Sequence, residues 1–251
     1  MGLLKRTISA VRDQGLIYVV REALPHIHNH YIRERLWRKE KVLNGIKTRS
    51  HRIGDNIVPW QAGHPDPDLY EAAIIDSLRD HVRNGDSVLI VGGGWGVSTV
   101  VAAKETGEAG NVHTYEASPK YSGYVRETAA LNDVQDTVTV TNKAVSHTVS
   151  TFGDDNSANP LHPSELTECD VLELDCEGAE LSIISKMDIR PRTIIVETHG
   201  VYDSSTEEIT EILNEIGYIV QSVELAERGN LESMCRNQDV RVVVAIRGEI
   251  C

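Results

Sequence analysis

The sequence predicts an α/β fold: a parallel sheet covered on both faces by helices and closed at its C-terminal end by an antiparallel hairpin. Three observations predict it. Seven short apolar runs recur between residues 87 and 246. Helix-like segments separate the first five, and such alternation buries a parallel sheet from both sides. The last two runs are joined by a polar stretch without an evident helix, which reads as a hairpin connection.

The runs are Ser87–Val91, Val112–Tyr115, Val138–Thr141, Val171–Leu174, Thr193–Glu197, Tyr218–Glu224 and Val240–Ile246. Helical spacing of apolar residues fills the gaps at Thr99–Thr106, Lys120–Asn132, Ala179–Met187 and Thr206–Ile216. Ahead of the first run, "LYEAAIIDSLRDHV" is an amphipathic helix ended by the turn "RNGD". It follows a break, "GHPDPDLY", where Pro65 and Pro67 disfavour helix and Asp66 or Asp68 can cap what comes next. The break divides the chain into an N-terminal extension, 1–62, and an α/β domain, 63–251. Residues 1–53 read as helical segments broken near Gly15, Pro25 and Gly45.

Composition narrows the class. No run of about 18 apolar residues occurs, so no membrane-spanning helix is expected. The opening "MGLLKRTISAVRDQG" lacks the apolar core of a secretory signal, and a cytoplasmic protein is expected. Four cysteines without CxxC spacing read as reduced thiols. The net charge is −13, with 8 lysines against 17 arginines, which suits a halophilic protein kept soluble in high salt. Residues 1–53 nevertheless carry 12 basic and 4 acidic side chains. Such asymmetry suggests an anionic partner for the extension: a membrane surface touched peripherally or, less well supported because no binding module is visible, nucleic acid. "HIHNH", with His26, His28 and His30, is followed by no further ligand at a recognisable spacing and reads as a loop rather than a metal site.

The most informative stretch is "VLIVGGGWGVST", Val88–Thr99. It leads from the first core strand into a helix, where open α/β sheets bind ligands. No lysine follows the glycines as a nucleotide P-loop requires. Val97 falls where the dinucleotide fingerprint needs a small residue. What fits is G-x-G-x-G: Gly92, Gly94 and Gly96. Glu116 stands twenty residues after Gly96, at the end of the second strand, where a carboxylate can accept both hydroxyls of a ribose. S-adenosylmethionine (SAM) matches the description of an adenosine-type cofactor with a free ribose and no phosphate to grip. Its adenine is expected near Asn142–Ala144, with Ala117 and Ala144 among the contacts. Trp95 reads either as a cover for the cofactor or as a contact to the N-terminal region.

With "YEASP", "LELDCEGAELSII" and "IIVETHG" added, residues 85–222 resemble FkbM-type SAM-dependent methyltransferases, most specifically in D-x-E-G-A-E (Asp175, Glu177, Gly178, Ala179, Glu180). The resemblance implies a Rossmann-like, doubly wound seven-stranded sheet with its last strand antiparallel. It also implies methyl transfer to a hydroxyl of a sugar, glycolipid precursor or other small polar metabolite. Many class I methyltransferases carry an acid two residues before the first glycine, facing the methionine end of the cofactor; this chain has Ile90.

Asp175 and Glu177 follow the fourth strand, and Glu197 and His199 end the fifth. The resemblance implies that these two strands are neighbours, which would crowd the four groups on one rim as candidate catalytic residues. Either His199 or Asp175 takes the acceptor's proton, or Asp175, Glu197 and His199 hold a divalent metal that acidifies the acceptor. Glu180 reads as a first-turn acid favoured by the helix dipole. Two other functions stay open: an RNA methyltransferase that grips phosphates through residues 1–53, and a non-catalytic scaffold of the same fold, which Ile90 keeps in view.

Overall fold

The structure is a computed structural model in which residues 38–51, 66–146, 160–202 and 204–248 are described. The chain divides into two units, Met1–Lys41 with Arg49–His64, and Val42–Thr48 with Pro65–Cys251. In chain order the strands are β1 (Arg38–Leu43), β2 (Ile46–His51), β3 (Ser87–Val91), β4 (Asn111–Tyr115), β5 (Val138–Thr141), β6 (Val171–Leu174), β7 (Thr193–His199), β8 (Tyr218–Leu225) and β9 (Val240–Arg247). The helices are α1 (Ala72–His81), α2 (Val97–Thr106), α3 (Pro119–Leu131), α4 (Glu180–Lys186), α5 (Thr206–Glu215) and α6 (Glu232–Gln238).

Strands β3 to β9 form one seven-stranded sheet in the order β5-β4-β3-β6-β7-β9-β8. The five strands from β5 to β7 are parallel, and β9 runs antiparallel between β7 and β8. This is the doubly wound sheet with C-terminal antiparallel strands that the sequence predicts. Side chains alternate across the sheet. Val88, Ile90, Val171 and Ile195 pack on one face with α1 and α2, while Leu89, Val91, Leu172, Leu174, Ile194 and Val196 pack on the other with α4 and α5. Burial on both faces is why these strands read as apolar runs.

Two expectations are corrected. Residues 38–51 form a β-hairpin, not helix. Its turn is Asn44-Gly45, with φ of 46° and 79°; left-handed backbone at both positions is what a two-residue hairpin turn requires. Asn44 anchors the turn, its N–H donating to Pro67 O (2.7 Å) and its Nδ2 to Tyr70 O (3.1 Å). The second correction is α6, between β8 and β9. It is short and buries only Cys235, so it has too little apolar periodicity to be legible. Asp66 does cap, but it caps the 3-10 turn Pro67–Leu69 rather than α1. The expected helices up to residue 37 and His26, His28 and His30 lie outside the described residues. Among the described residues no helix is long and apolar enough to cross a membrane.

The strand ends opposite the glycine loop are tied together by ion pairs. Arg192, just before β7, donates from both terminal nitrogens to Asp86, just before β3 (3.2 and 2.7 Å), and also to His81 O at the end of α1 (3.0 Å). Asp170, before β6, accepts from Ser87 N (2.9 Å). Burial alone would raise the Asp86 carboxyl. The bonds from Arg192 and from Arg83 N–H, with the Arg192 charge, outweigh burial and hold it below its ordinary 3.8. A depressed carboxylate stabilises the fold above its unfolded value, and that stability is lost as pH falls through the folded one. Wild type is therefore expected to lose more stability than Asp86→Asn on acidification below about pH 4, as urea unfolding at stepped pH would show.

Candidate active site

The glycine loop lies between β3 and α2. Gly92 donates its N–H to Tyr115 O (2.9 Å), and a Cβ added to it would lie 1.7 Å from Asp175 O. A Cβ on Gly93 would meet Val125 Cγ2 at 2.7 Å, and one on Gly96 would meet Val125 Cα at 2.9 Å. These three glycines let the backbone fit against the rest of the fold. Gly94 differs: among the described residues nothing lies within 4 Å of where its Cβ would be, so bare backbone faces open space there. Of the four, Gly94 is the one with room for a ligand.

Glu116, at the end of β4, is buried and turned onto the loop. Its Oε2 accepts from Gly93 N (2.9 Å) and Gly94 N (3.1 Å), and its Oε1 from Ser118 N (2.8 Å). Asn142, just after β5, donates Nδ2 to the carbonyls of Glu116 (2.8 Å) and Ala117 (2.9 Å). The predicted cofactor residues Gly92, Gly94, Gly96, Glu116 and Ala117 thus meet at one corner. Ala144 is buried two residues beyond Asn142, its carbonyl accepting from Leu161 N (2.8 Å). Trp95 stacks on Tyr124 of α3 (centroids 5.0 Å, 2°) and meets Tyr121 edge-on.

The acidic rim adjoins this corner, because Asp175 N donates to Val91 O (2.9 Å) while the Asp175 carbonyl lies against Gly92. Strands β6 and β7 are parallel neighbours, so Asp175 stands beside Glu197 and His199. His199 Nε2 lies 3.8 Å from Asp175 Oδ1 and 3.5 Å from Glu197 Oε1. One ligand atom from each of the three falls within 4.8 Å of the others. Glu177 stays outside this group: it is exposed, in left-handed backbone with φ 51°.

Glu180 is placed better than its reading as a helix-terminus acid foresees. The turn through Glu177 and Gly178 (φ 108°) brings it back beneath the rim. It is fully buried, accepts from Cys176 N (3.0 Å) and Gly178 N (2.8 Å), and sets Oε1 3.3 Å from His199 Nδ1. Burial alone would lower the His199 imidazole, but the contacts with Glu180 and Glu197 and the charge of Asp175 push it up to about 11. Burial would raise Glu180, but His199 and the Cys176 N–H hold it below its ordinary 4.5. Burial first, then the charges of Glu197 and Glu71, raise Asp175 well above its ordinary value.

Behind the rim lies a second tier of acids that sequence reasoning missed. Glu173, inside β6, is 1% exposed, and neither carboxylate oxygen has a hydrogen-bond partner among the described residues. Burial, then the charges of Asp175, Glu71, Glu197 and Glu180, raise it well above its ordinary value. Glu71 sits at the N-terminus of α1 in left-handed backbone (φ 49°), its N–H donating to Glu227 Oε1 (3.2 Å). Burial pushes the Glu71 carboxyl to about 8 and Glu227 to about 7. Glu227 Oε2 is also buried without a partner.

Comparison with known proteins agrees with this architecture. Residues 161–220, which span Asp175, Glu180, Glu197 and His199, match the Methyltransferase FkbM domain. No curated protein matches. Among solved structures, the chain is similar to one described as a transferase from Pyrococcus horikoshii, at 14% identity and a TM-score of 0.52, covering 84% of this chain and 71% of that one. It is similar also to a SAM-dependent O-methyltransferase from Thermotoga maritima (14% identity, TM-score 0.48, 84% and 77% covered). A ribosomal protein L11 methylase from Lactobacillus delbrueckii subsp. bulgaricus compares at 14% identity and TM-score 0.48, with 70% and 78% covered.

Proposed function

Taking as premise that the chain carries a SAM-dependent methyltransferase domain of the FkbM type, we propose that it methylates a hydroxyl of a sugar, glycolipid precursor or other small polar metabolite. The observation that carries this reading is the contact of Asp175 backbone with Gly92, which sets the Asp175–Glu197–His199 rim directly against the glycine loop. SAM, when bound, supplies an electrophilic methyl group on a sulfonium. The residues present fit it: Gly94 offers open backbone and Glu116 a carboxylate for the ribose.

The rim's task is to orient a hydroxyl and take its proton. Asp175 has the most exposed side chain of the three, 28% against 13% for Glu197 and 11% for His199. It is the group that meets the acceptor, and we assign it as the base. His199 lies between Asp175 and Glu197, positioned from behind by Glu180, and holds both carboxylates. A specific observation favours a second reading of the same trio: its convergent ligand atoms suit a divalent cation of loose oxygen–nitrogen preference. Activity abolished by EDTA and restored by Mg²⁺ or Mn²⁺ would select that reading; activity indifferent to EDTA selects the base.

Thermal unfolding with S-adenosylhomocysteine (SAH), in molar KCl with NAD as control, tests the cofactor. At a hundredfold excess over its Kd, SAH is expected to add about 2.7 kcal/mol, or roughly 5–10 °C for a chain of this size. A folded sample that does not respond would remove the cofactor reading. Mass spectrometry of glycans and polyols incubated with SAM then tests the acceptor, an O-methyl ether being the expected product.

A further inference from the structure

From Gly92 to Gly96 every residue is glycine except Trp95, which carries the only side chain of the loop. Glycine loses more conformational freedom on ordering than any other residue, so a loop of this composition is costly to hold in one shape. Within it Gly93 O accepts from Gly96 N–H (2.7 Å), which closes a turn with Gly94 and Trp95 at its two central positions. Gly94, with φ 48°, is the position that faces open space. Trp95 is its neighbour in the turn, and whatever holds the indole constrains the peptide that joins them.

The indole is held by α3. It lies flat on Tyr124 (5.0 Å, 2°) and meets Tyr121 at 5.9 Å and 86°, and those two rings meet each other at 5.6 Å and 84°. Offset-stacked and edge-to-face contacts are the favourable geometries of such rings. Trp95 and Tyr124 are half-buried and Tyr121 is exposed, so the cluster stands at the surface rather than in the core. The same helix is tied to the loop a second time. Ser118, which caps α3, donates its N–H to Glu116 Oε1, while Glu116 Oε2 accepts from Gly93 and Gly94. Glu116 thus grips the turn at its first two residues and the aromatic cluster grips it at its third.

We infer that Trp95 is a positioning residue for the cofactor: its stack on Tyr124 holds the Gly93–Gly96 turn in the shape that presents Gly94 to the ligand, and the indole itself stays off the ligand. The inference rests on the cofactor reading above. Calorimetric titration of the full chain with SAH, amide hydrogen exchange and melting temperature test it together. Trp95→Ala is expected to weaken SAH about five- to tenfold, the scale of one aromatic pair, and to speed exchange of the Gly96 amide. Trp95→Phe keeps a ring on Tyr124 and is expected to bind SAH within about twofold of wild type. Tyr124→Ala removes the platform without altering the loop and is expected to reproduce the loss. The double variant is expected to bind no more weakly than Trp95→Ala alone, because both act through one contact. Should Trp95→Ala fail to fold, Trp95→Leu, which keeps apolar bulk without a ring, takes its place. A lower melting temperature with SAH affinity and exchange unchanged would overturn the inference in favour of plain packing. So would a loss in Trp95→Ala that Tyr124→Ala does not share, since the indole would then meet the ligand directly. If folded wild type binds no SAH, the cofactor reading falls and this inference with it; SAH binding that ignores both Trp95 and Tyr124 removes the inference alone.

Discussion

Asp175→Asn is expected to slow methyl transfer by about 10²- to 10⁴-fold, the usual contribution of a positioned base, while SAH affinity changes only a few-fold. The amide keeps the size of the side chain and its place on the rim beside Glu197 and His199. It cannot take a proton. His199→Ala is expected to cost a comparable factor by a different route. Without the imidazole, Asp175 and Glu197 face each other unrelieved, and Glu180 is left buried with no ring beside it. Single-turnover rates with saturating SAM, alongside calorimetric SAH affinities, measure both effects. Turnover that survives both substitutions unchanged would discard the rim as the reacting centre.

Gly92→Ala is expected to be the most damaging single substitution in the loop. Its Cβ would enter the Asp175 carbonyl, a backbone atom that cannot swing aside, and φ at this position is 101°, where an L side chain is strained. A loss of about 3–5 kcal/mol is expected, with displacement of the rim that Asp175 leads. Gly94→Ala makes the opposite case. Its φ of 48° lies in the left-handed region that alanine enters for about 1–2 kcal/mol, and its Cβ meets nothing. This variant should fold yet bind SAH at least tenfold more weakly, because the methyl stands where bare backbone faced open space. Melting temperature and SAH affinity, read on both proteins, separate the two glycines. Equal damage to stability from both would contradict the division of the loop into packed and open positions.

The contrast shows what was legible in the chain. Seven strands could be read because each carries a short apolar run, most continuous in the central strands β3, β7 and β9, which are buried on both faces. The glycine spacing, Glu116, Asp175, Glu197 and His199 could be read because they stand at strand ends, where polar residues interrupt those runs. Glu173 could not. An acid within "VLELD" looks like one more strand residue until strand order places it beside Ile90. Glu71 and Glu227 are 156 residues apart in sequence and are brought together only by the fold. The hairpin at 38–51 had its signal in Asn44-Gly45, but the flanks "RKEKVL" and "IKTRSH" are rich in charge and poor in β-formers, so the turn outspoke its strands.

The bonds of Glu116 bear on how the loop behaves without ligand. Its carboxylate already accepts three backbone N–H groups, from Gly93, Gly94 and Ser118. The loop is thus held in shape by an internal carboxylate, and slow hydrogen exchange of the Gly93 and Gly94 amides is the expected result in the free protein. Under the proposed function, ribose recognition would be a trade of partners within a set loop rather than the ordering of a loose one. Such a trade favours fast association with little change in backbone entropy. It also means that a Glu116 variant deficient in methyl transfer will have lost the template of the loop together with any contact to the ribose.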